Sequence, residues 1–217
     1  MNSKEIISNI RDIFKKFPVP INLQRHLFKV TAVGEVIADH WKGPALDRDE
    51  LVAFMLLHDI GNLVKYDFNH KLYDGDIGSD IEGWKKKQKE TIAKYGEDDL
   101  KATIAFAKEL NVSSRMIELL EESHFHRLRQ TLESSDWVLK IGKYSDMRAA
   151  PQGIVSVDRR FDDLEKRYIG RQIRLSLPDF EEHRKLALEL EKQIFENTDL
   201  TPEQVDEKAI QKYVDSY

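Results

Sequence analysis

Along nearly the whole chain, apolar residues recur three or four positions apart, and no alternation long enough for a useful strand appears. That spacing limits the fold more than any other property, because the apolar face of each helix must be buried against other helices. Ile6, Ile7, Ile10, Ile13 and Phe14 predict a first helix over residues 3–16, ended by Phe17-Pro-Val-Pro20. Leu23, Leu27, Val30, Val33, Gly34, Ile37 and Trp41 predict a second from Ile21 to about Lys42, closed by Gly43-Pro44. Asp47-Arg-Asp-Glu50 has the form of a capping box and opens a third helix through Leu51, Phe54 and Met55 to His58, with Gly61 as its expected stop.

Further helices are expected from the Ser79-Asp-Ile-Glu82 box to Tyr95, from Asp98/Asp99 to Leu110, and from Ser113 to about Ser123. Others should run from Ser135-Asp136-Trp137 to Arg148, from Val157 to Tyr168, near Asp179–Asn197, and over Pro202–Val214 after Thr201-Pro202-x-Gln204. Residues 65–78 read as a loop, 123–129 as a polar basic segment, 150–156 as a turn and 171–177 as extended. The expected fold is an all-α, multi-helix bundle. Residues 1–170 would form its domain, and 171–217 a helical C-terminal extension packed on the same domain.

Composition narrows the function. A chain of 217 residues with 41% hydrophobic content can bury a sizeable core. Its net charge of -5 argues against general binding to a nucleic-acid backbone, yet leaves room for a small phosphorylated ligand in a local basic pocket. Cysteine is absent, which excludes disulfides, thiolate zinc sites and a Cys nucleophile, so a metal must be held by His and carboxylate. No apolar run reaches bilayer-spanning length and the N-terminus lacks a signal-peptide core. A cytoplasmic, soluble protein without membrane contact is expected, with oligomerisation left open.

His58 and Asp59 are an unusual pair for the end of a buried helix, since a carboxylate there opposes the macrodipole unless a cation is near. His26, on the inward face with Val30 and Val33, and Asp146, near the end of its helix, are candidate partners. Gly142, one turn before Asp146, is expected to leave room beside that carboxylate. Taken singly, each has an ordinary reading: a hydrogen-bonded core histidine, a chance His-Asp dipeptide, a helix-end aspartate. Imidazole and carboxylate without thiolate suit Mn, Fe, Co, Ni, Zn or Mg and do not choose among them.

The set His26 … His58-Asp59-Ile60-Gly61 … Asp146 resembles the H…HD…D signature of the HD superfamily of metal-dependent phosphohydrolases. Tyr144-Ser-Asp146-Met-Arg148 is similar to the form around the family's last ligand, and the resemblance covers roughly residues 20–170. It implies a divalent metal held by His26, His58, Asp59 and Asp146, and hydrolysis of a phosphomonoester or phosphodiester by an activated water, with His58 and Asp59 as catalytic residues. The implied partner is a small, nucleotide-like phosphorylated substrate. Arg25, Asn62, Lys65, His124 and Arg148 are the candidate substrate contacts.

Two-metal members generally add two histidines between the HD pair and the last Asp, where this chain offers His70, His124 and His126. His124 and His126 are two apart and cannot share a helix face, so one metal per chain is expected. A catalytically silent metal-containing sensing or interaction module and a di-iron oxygenase are the alternatives.

Overall fold

Helix α4 (Arg48–Leu57) is the centre of the molecule, every residue from Leu51 to Leu57 being buried. The computed structural model describes residues 1–68, 80–168 and 177–217. Around α4 lie α1 (Ser3–Ser8), α2 (Ile10–Lys16), α3 (Ile21–Asp39), α5 (Ile81–Tyr95), α6 (Asp99–Glu109), α7 (Ser114–Glu122), α8 (Leu128–Glu133) and α9 (Trp137–Arg148). A hairpin of β1 (Ala149–Ala150) and β2 (Gly153–Ile154) leads into α10 (Val157–Tyr168), α11 (Leu177–Phe195) and α12 (Glu207–Val214). The all-α class follows from the apolar spacing as expected, with the two-residue strands too short to alter it.

Helix α3 packs against α4, α9 and α12, and α4 packs against α9, so α3, α4 and α9 form the wall that carries the site. Gly34 permits this close approach: a Cβ there would lie 2.4 Å from Met55 Cε. Asp47 caps α4 through its carboxylate, while Glu50 turns away to pair with Arg115, which also pairs with Asp136 at the start of α9. The expected reciprocal box is therefore half a box.

Several boundaries differ from the sequence reading, each for a local reason. The N-terminal helix breaks at Asn9, whose side chain donates to the Glu5 carbonyl and competes with the backbone ladder. Helix α3 ends at Asp39, because residues 40–42 turn to dock on the C-terminal segment: Lys42 N donates to Asn197 O at 2.8 Å. Asp80 caps α5; Ser79, His70 and residues 171–176 of the expected extended stretch lie outside the described residues. The Thr201–Gln204 box forms, but it opens a 3-10 turn, and Asp206 caps α12. The polar basic stretch after Ser123 contains a 3-10 turn (Phe125–Arg127) followed by α8.

The C-terminal helices share the core of the rest. Ala187, Leu190, Ile194, Val205 and Ile210 belong to the same apolar cluster as Leu27, Leu56 and Ile141. Tyr217 donates to Glu35 at 2.9 Å and Tyr213 to Asp39, closing α12 onto α3. Among the described residues, no helix is long and apolar enough to cross a membrane.

Candidate metal centre

Three elements deliver the candidate ligands. His26 sits in the second turn of α3, beside the buried Leu27 and Val30, and its Nε2 lies 3.1 Å from Asp146 Oδ1. His58 is the C-cap of α4, held at φ -55 and ψ -30, so the fully buried run before it carries the imidazole into the interior. Its Nδ1 donates to the Met55 carbonyl at 2.7 Å. That bond keeps a proton on Nδ1, so in the neutral ring it is Nε2 that carries the lone pair.

Among the described residues, His58 Nε2 is buried and has no hydrogen-bond partner. It stands 3.7 Å from Asp146 Oδ1 and 3.8 Å from Asp59 Oδ2. Two ligand atoms on one ion, each at about 2.1 Å, are separated by at most about 4.2 Å. The orphaned nitrogen and these spacings fit a cation, and ligand atoms of His26, His58 and Asp146 all lie within 4.8 Å of one another. Asp59 stands outside that tight trio, with Oδ2 accepting from Asn62 Nδ2.

Charge in this cluster is poised for a cation. Burial works against an imidazolium at His58, yet Asp59 and Asp146 prevail and raise it to about 9. Burial also opposes charge on Asp146, but the His26 and His58 rings hold its carboxyl well below the usual carboxylate range. In the metal-free protein a proton therefore does part of the work of a divalent ion.

Local backbone features place the pair differently from expectation. Helix α4 ends at Leu57, so Asp59 lies just past the helix end rather than in its last turn. Gly61 has φ -83 and is no left-handed stop. Its need is clearance, since a Cβ would lie 2.4 Å from Thr103 N and 2.7 Å from Asp99 O. Its amide donates to Thr103 Oγ1 at 3.1 Å, locking the turn to α6. Gly142 likewise clears space for the Phe54 ring, which a Cβ would meet at 2.3 Å, rather than for the Asp146 carboxylate.

A cavity of about 390 Å³ opens on this wall, lined by His26, His58, Asp59 and Asp146 on the polar side and by Phe125, Leu164 and Phe180 on the apolar side. Of the expected substrate contacts, Lys65 and His124 line it. Lys65 pairs with Asp99 at 2.5 Å. Asn62 is buried behind Asp59 and acts on that carboxylate, not on the cavity. Arg25 is exposed and outside the cavity wall.

Arg148 is a correction. Only 4% exposed, it donates to Val155 O, Tyr144 Oη, Pro202 O and Val205 O, and so ties α9 to the C-terminal segment. Its donors are taken up by these oxygens, which sequence adjacency to Asp146 could not reveal.

His124 and His126 also escape the rule that only one of them can face inward. Neither sits on an α-helix: His124 precedes the 3-10 turn and His126 lies within it. Both line the cavity, their rings stacked with centroids 5.0 Å apart. Burial, then His126 and Lys143, push the His124 imidazole below its ordinary value.

Lys143, which no motif in the sequence singles out, lines the cavity at 5% exposure. Its position three residues before Asp146 on one helix was the available signal.

Comparison with known proteins agrees with this geometry. The HD domain family model matches residues 23–157, more than half of the chain and the interval holding all four candidate ligands. No curated protein and no solved structure gives a significant match. The chain thus belongs to the HD domain family, within the superfamily of metal-dependent phosphohydrolases.

Proposed function

We propose that this protein hydrolyses a phosphoester of a small, nucleotide-like substrate, using one divalent ion per chain held by His26, His58, Asp59 and Asp146. The observation that carries the reading is the buried Nε2 of His58, which has no hydrogen-bond partner among the described residues and faces two carboxylates at the cavity wall. A buried imidazole nitrogen without a partner is unfavourable unless a ligand completes it. A divalent ion held by these residues would lower the pKa of a bound water and polarise a phosphoryl oxygen.

The chain's own residues do the rest. The Met55 carbonyl keeps one proton on His58 Nδ1, so Nε2 is the nitrogen that would face a metal once its own proton is displaced. Asn62 steadies one oxygen of Asp59, which orients the carboxylate that would accept a proton from the attacking water. Phe125 and Phe180, with ring centroids 6.3 Å apart, offer an apolar surface suited to a base or similar group. A single ion is favoured because, among the described residues, one set of three ligand atoms converges within 4.8 Å.

The test is a screen of phosphomonoesters, phosphodiesters and nucleotides with Mn, Co, Ni or Mg, with metal content measured on the same sample. Hydrolysis of at least one class with about one ion per chain is expected, and His58→Ala should abolish both. No hydrolysis of any class would sink the proposal, and full activity in metal-depleted His58→Ala would place the chemistry elsewhere. Two irons per chain would instead favour an oxygenase that recruits His124 and His126.

A further inference from the structure

Lys143 and Asp146 are three residues apart on α9, so their side chains leave the same face of the helix. Lys143 lines the cavity beside His58 and Asp59, although the residue is only 5% exposed. Among the described residues its Nζ donates to the Ser123 carbonyl and pairs with no carboxylate. The other lysine and the arginine on the same cavity are engaged, Lys65 with Asp99 and Arg160 with Asp163.

A lysine in such a place is a poor choice if its only task is to tether α9 to the end of α7. A buried ammonium without a counter-ion is unfavourable, and a hydroxyl or amide would satisfy the same carbonyl. Burial pushes this ammonium down to about 7, with Asp146 and Asp59 pulling it back up. An ammonium has three N–H donors, and Ser123 takes one. No carboxylate among the described residues is hydrogen-bonded to the ammonium, so an anion with several acceptor oxygens entering the cavity could take its remaining donors.

We infer that Lys143 is the cation that binds the phosphoryl group of the substrate in this cavity, beside the metal-ligand cluster. The inference rests on the phosphohydrolase reading and adds to it a residue and a chemical class: a ligand with a terminal or bridging phosphate reached by one buried ammonium. His124 and His126 line the same cavity.

The experiment is calorimetric titration of inorganic phosphate into the full chain loaded with manganese and freed of excess metal. Wild type should bind phosphate, and Lys143→Met should bind it at least about tenfold more weakly, with metal content and thermal midpoint essentially retained. Lys143→Arg should recover most of the affinity, which a purely structural tether would not require. Equal phosphate affinity in wild type and Lys143→Met, or no phosphate binding by wild type, overturns the inference.

A second measurement needs no variant. Phosphate should shield Lys143 from reductive methylation in the wild-type protein, read by peptide mass spectrometry, and equal labelling with and without phosphate also overturns it. Hydrolysis is followed on the same samples. Phosphate binding that depends on Lys143 without any hydrolysis defeats the phosphohydrolase reading and leaves the anion site. Hydrolysis with the same KM in wild type and Lys143→Met defeats only the role given to Lys143.

Discussion

Asp59 and Asp146 bring negative charge up against the buried His58 ring from a half-exposed cavity wall, and in the metal-free protein the proton on His58 offsets it, which is why that imidazole is raised to about 9. An ion that takes His58 Nε2 must displace the proton. Metal uptake near neutral pH should therefore release about one proton per ion, measurable by calorimetry in buffers of different ionisation enthalpy. A release of zero would mean that His58 is not a ligand. Asn62→Ala should weaken metal retention about 10- to 100-fold, because it frees the Asp59 oxygen that Asn62 holds; a chelator competition assay reads this directly. Stability has two opposing contributions. His58, raised from 6.5, contributes stability that is complete below 6.5 and lost as pH rises through about 9. Lys143, lowered from 10.5 to about 7, carries a cost that is full below about 7 and fades as pH rises towards 10.5. The two offset each other between their folded values. Lys143→Met should then uncover a fall of several degrees in the metal-free thermal midpoint over that interval, and a flat profile in the variant would contradict the assignment.

Between elements, the contact that matters most is the one between the Gly61 turn and α6. Gly61→Ala sets a methyl against backbone atoms of Asp99 and Thr103, which no rotamer change relieves. A loss of about 1–3 kcal/mol is expected, with reduced metal content at equal protein concentration, because the Asp59 turn must move with it. Denaturant unfolding and metal analysis check both. Helix α4 and its neighbours were legible in the sequence because caps and apolar spacing are local: Asp47, Asp98, Ser113 and Asp136 all cap where the pattern placed them. His26, His58 and Asp146 were each candidates from their helix positions, but they became a set only through the resemblance to the H…HD…D signature; the structure brings their ligand atoms within 4.8 Å of one another. The roles of Lys143 and Arg148 were not. Both are charged residues on α9 whose surroundings come from far along the chain, Ser123 for one and Pro202 and Val205 for the other. The paired inward rings of His124 and His126 were missed because a 3-10 turn does not follow the helical rule applied to them.

Across the whole molecule, the family match stops at residue 157 and the core does not. Helix α11 packs on α8, α9 and α10 and brings Phe180 to the cavity, while α12 packs on α3, so both of the last two helices lean on the wall that carries the ligands. A chain cut after residue 176 should lack a cooperative unfolding transition and near-ultraviolet circular dichroism, and a cooperative fragment would show the extension to be dispensable. Arg148→Leu tests the same seam with one residue. It strands the Val155, Pro202 and Val205 carbonyls, and should cost about 3–5 kcal/mol by denaturant unfolding.

Helix α9 presents Lys143 and Asp146 to the cavity, and Tyr144 and Arg148 to Glu191 and the 202–205 turn. At about 100° per residue, the mean directions of the two pairs differ by about 150° around the helix axis. The angular phase of α9 is thereby set from both sides, and no rotation satisfies one side alone. One residue inserted between Trp137 and Gly142 would put Gly142 and Ser145 where Lys143 and Asp146 now point, and Met147 where Arg148 points, losing the ligand and the seam in the same step.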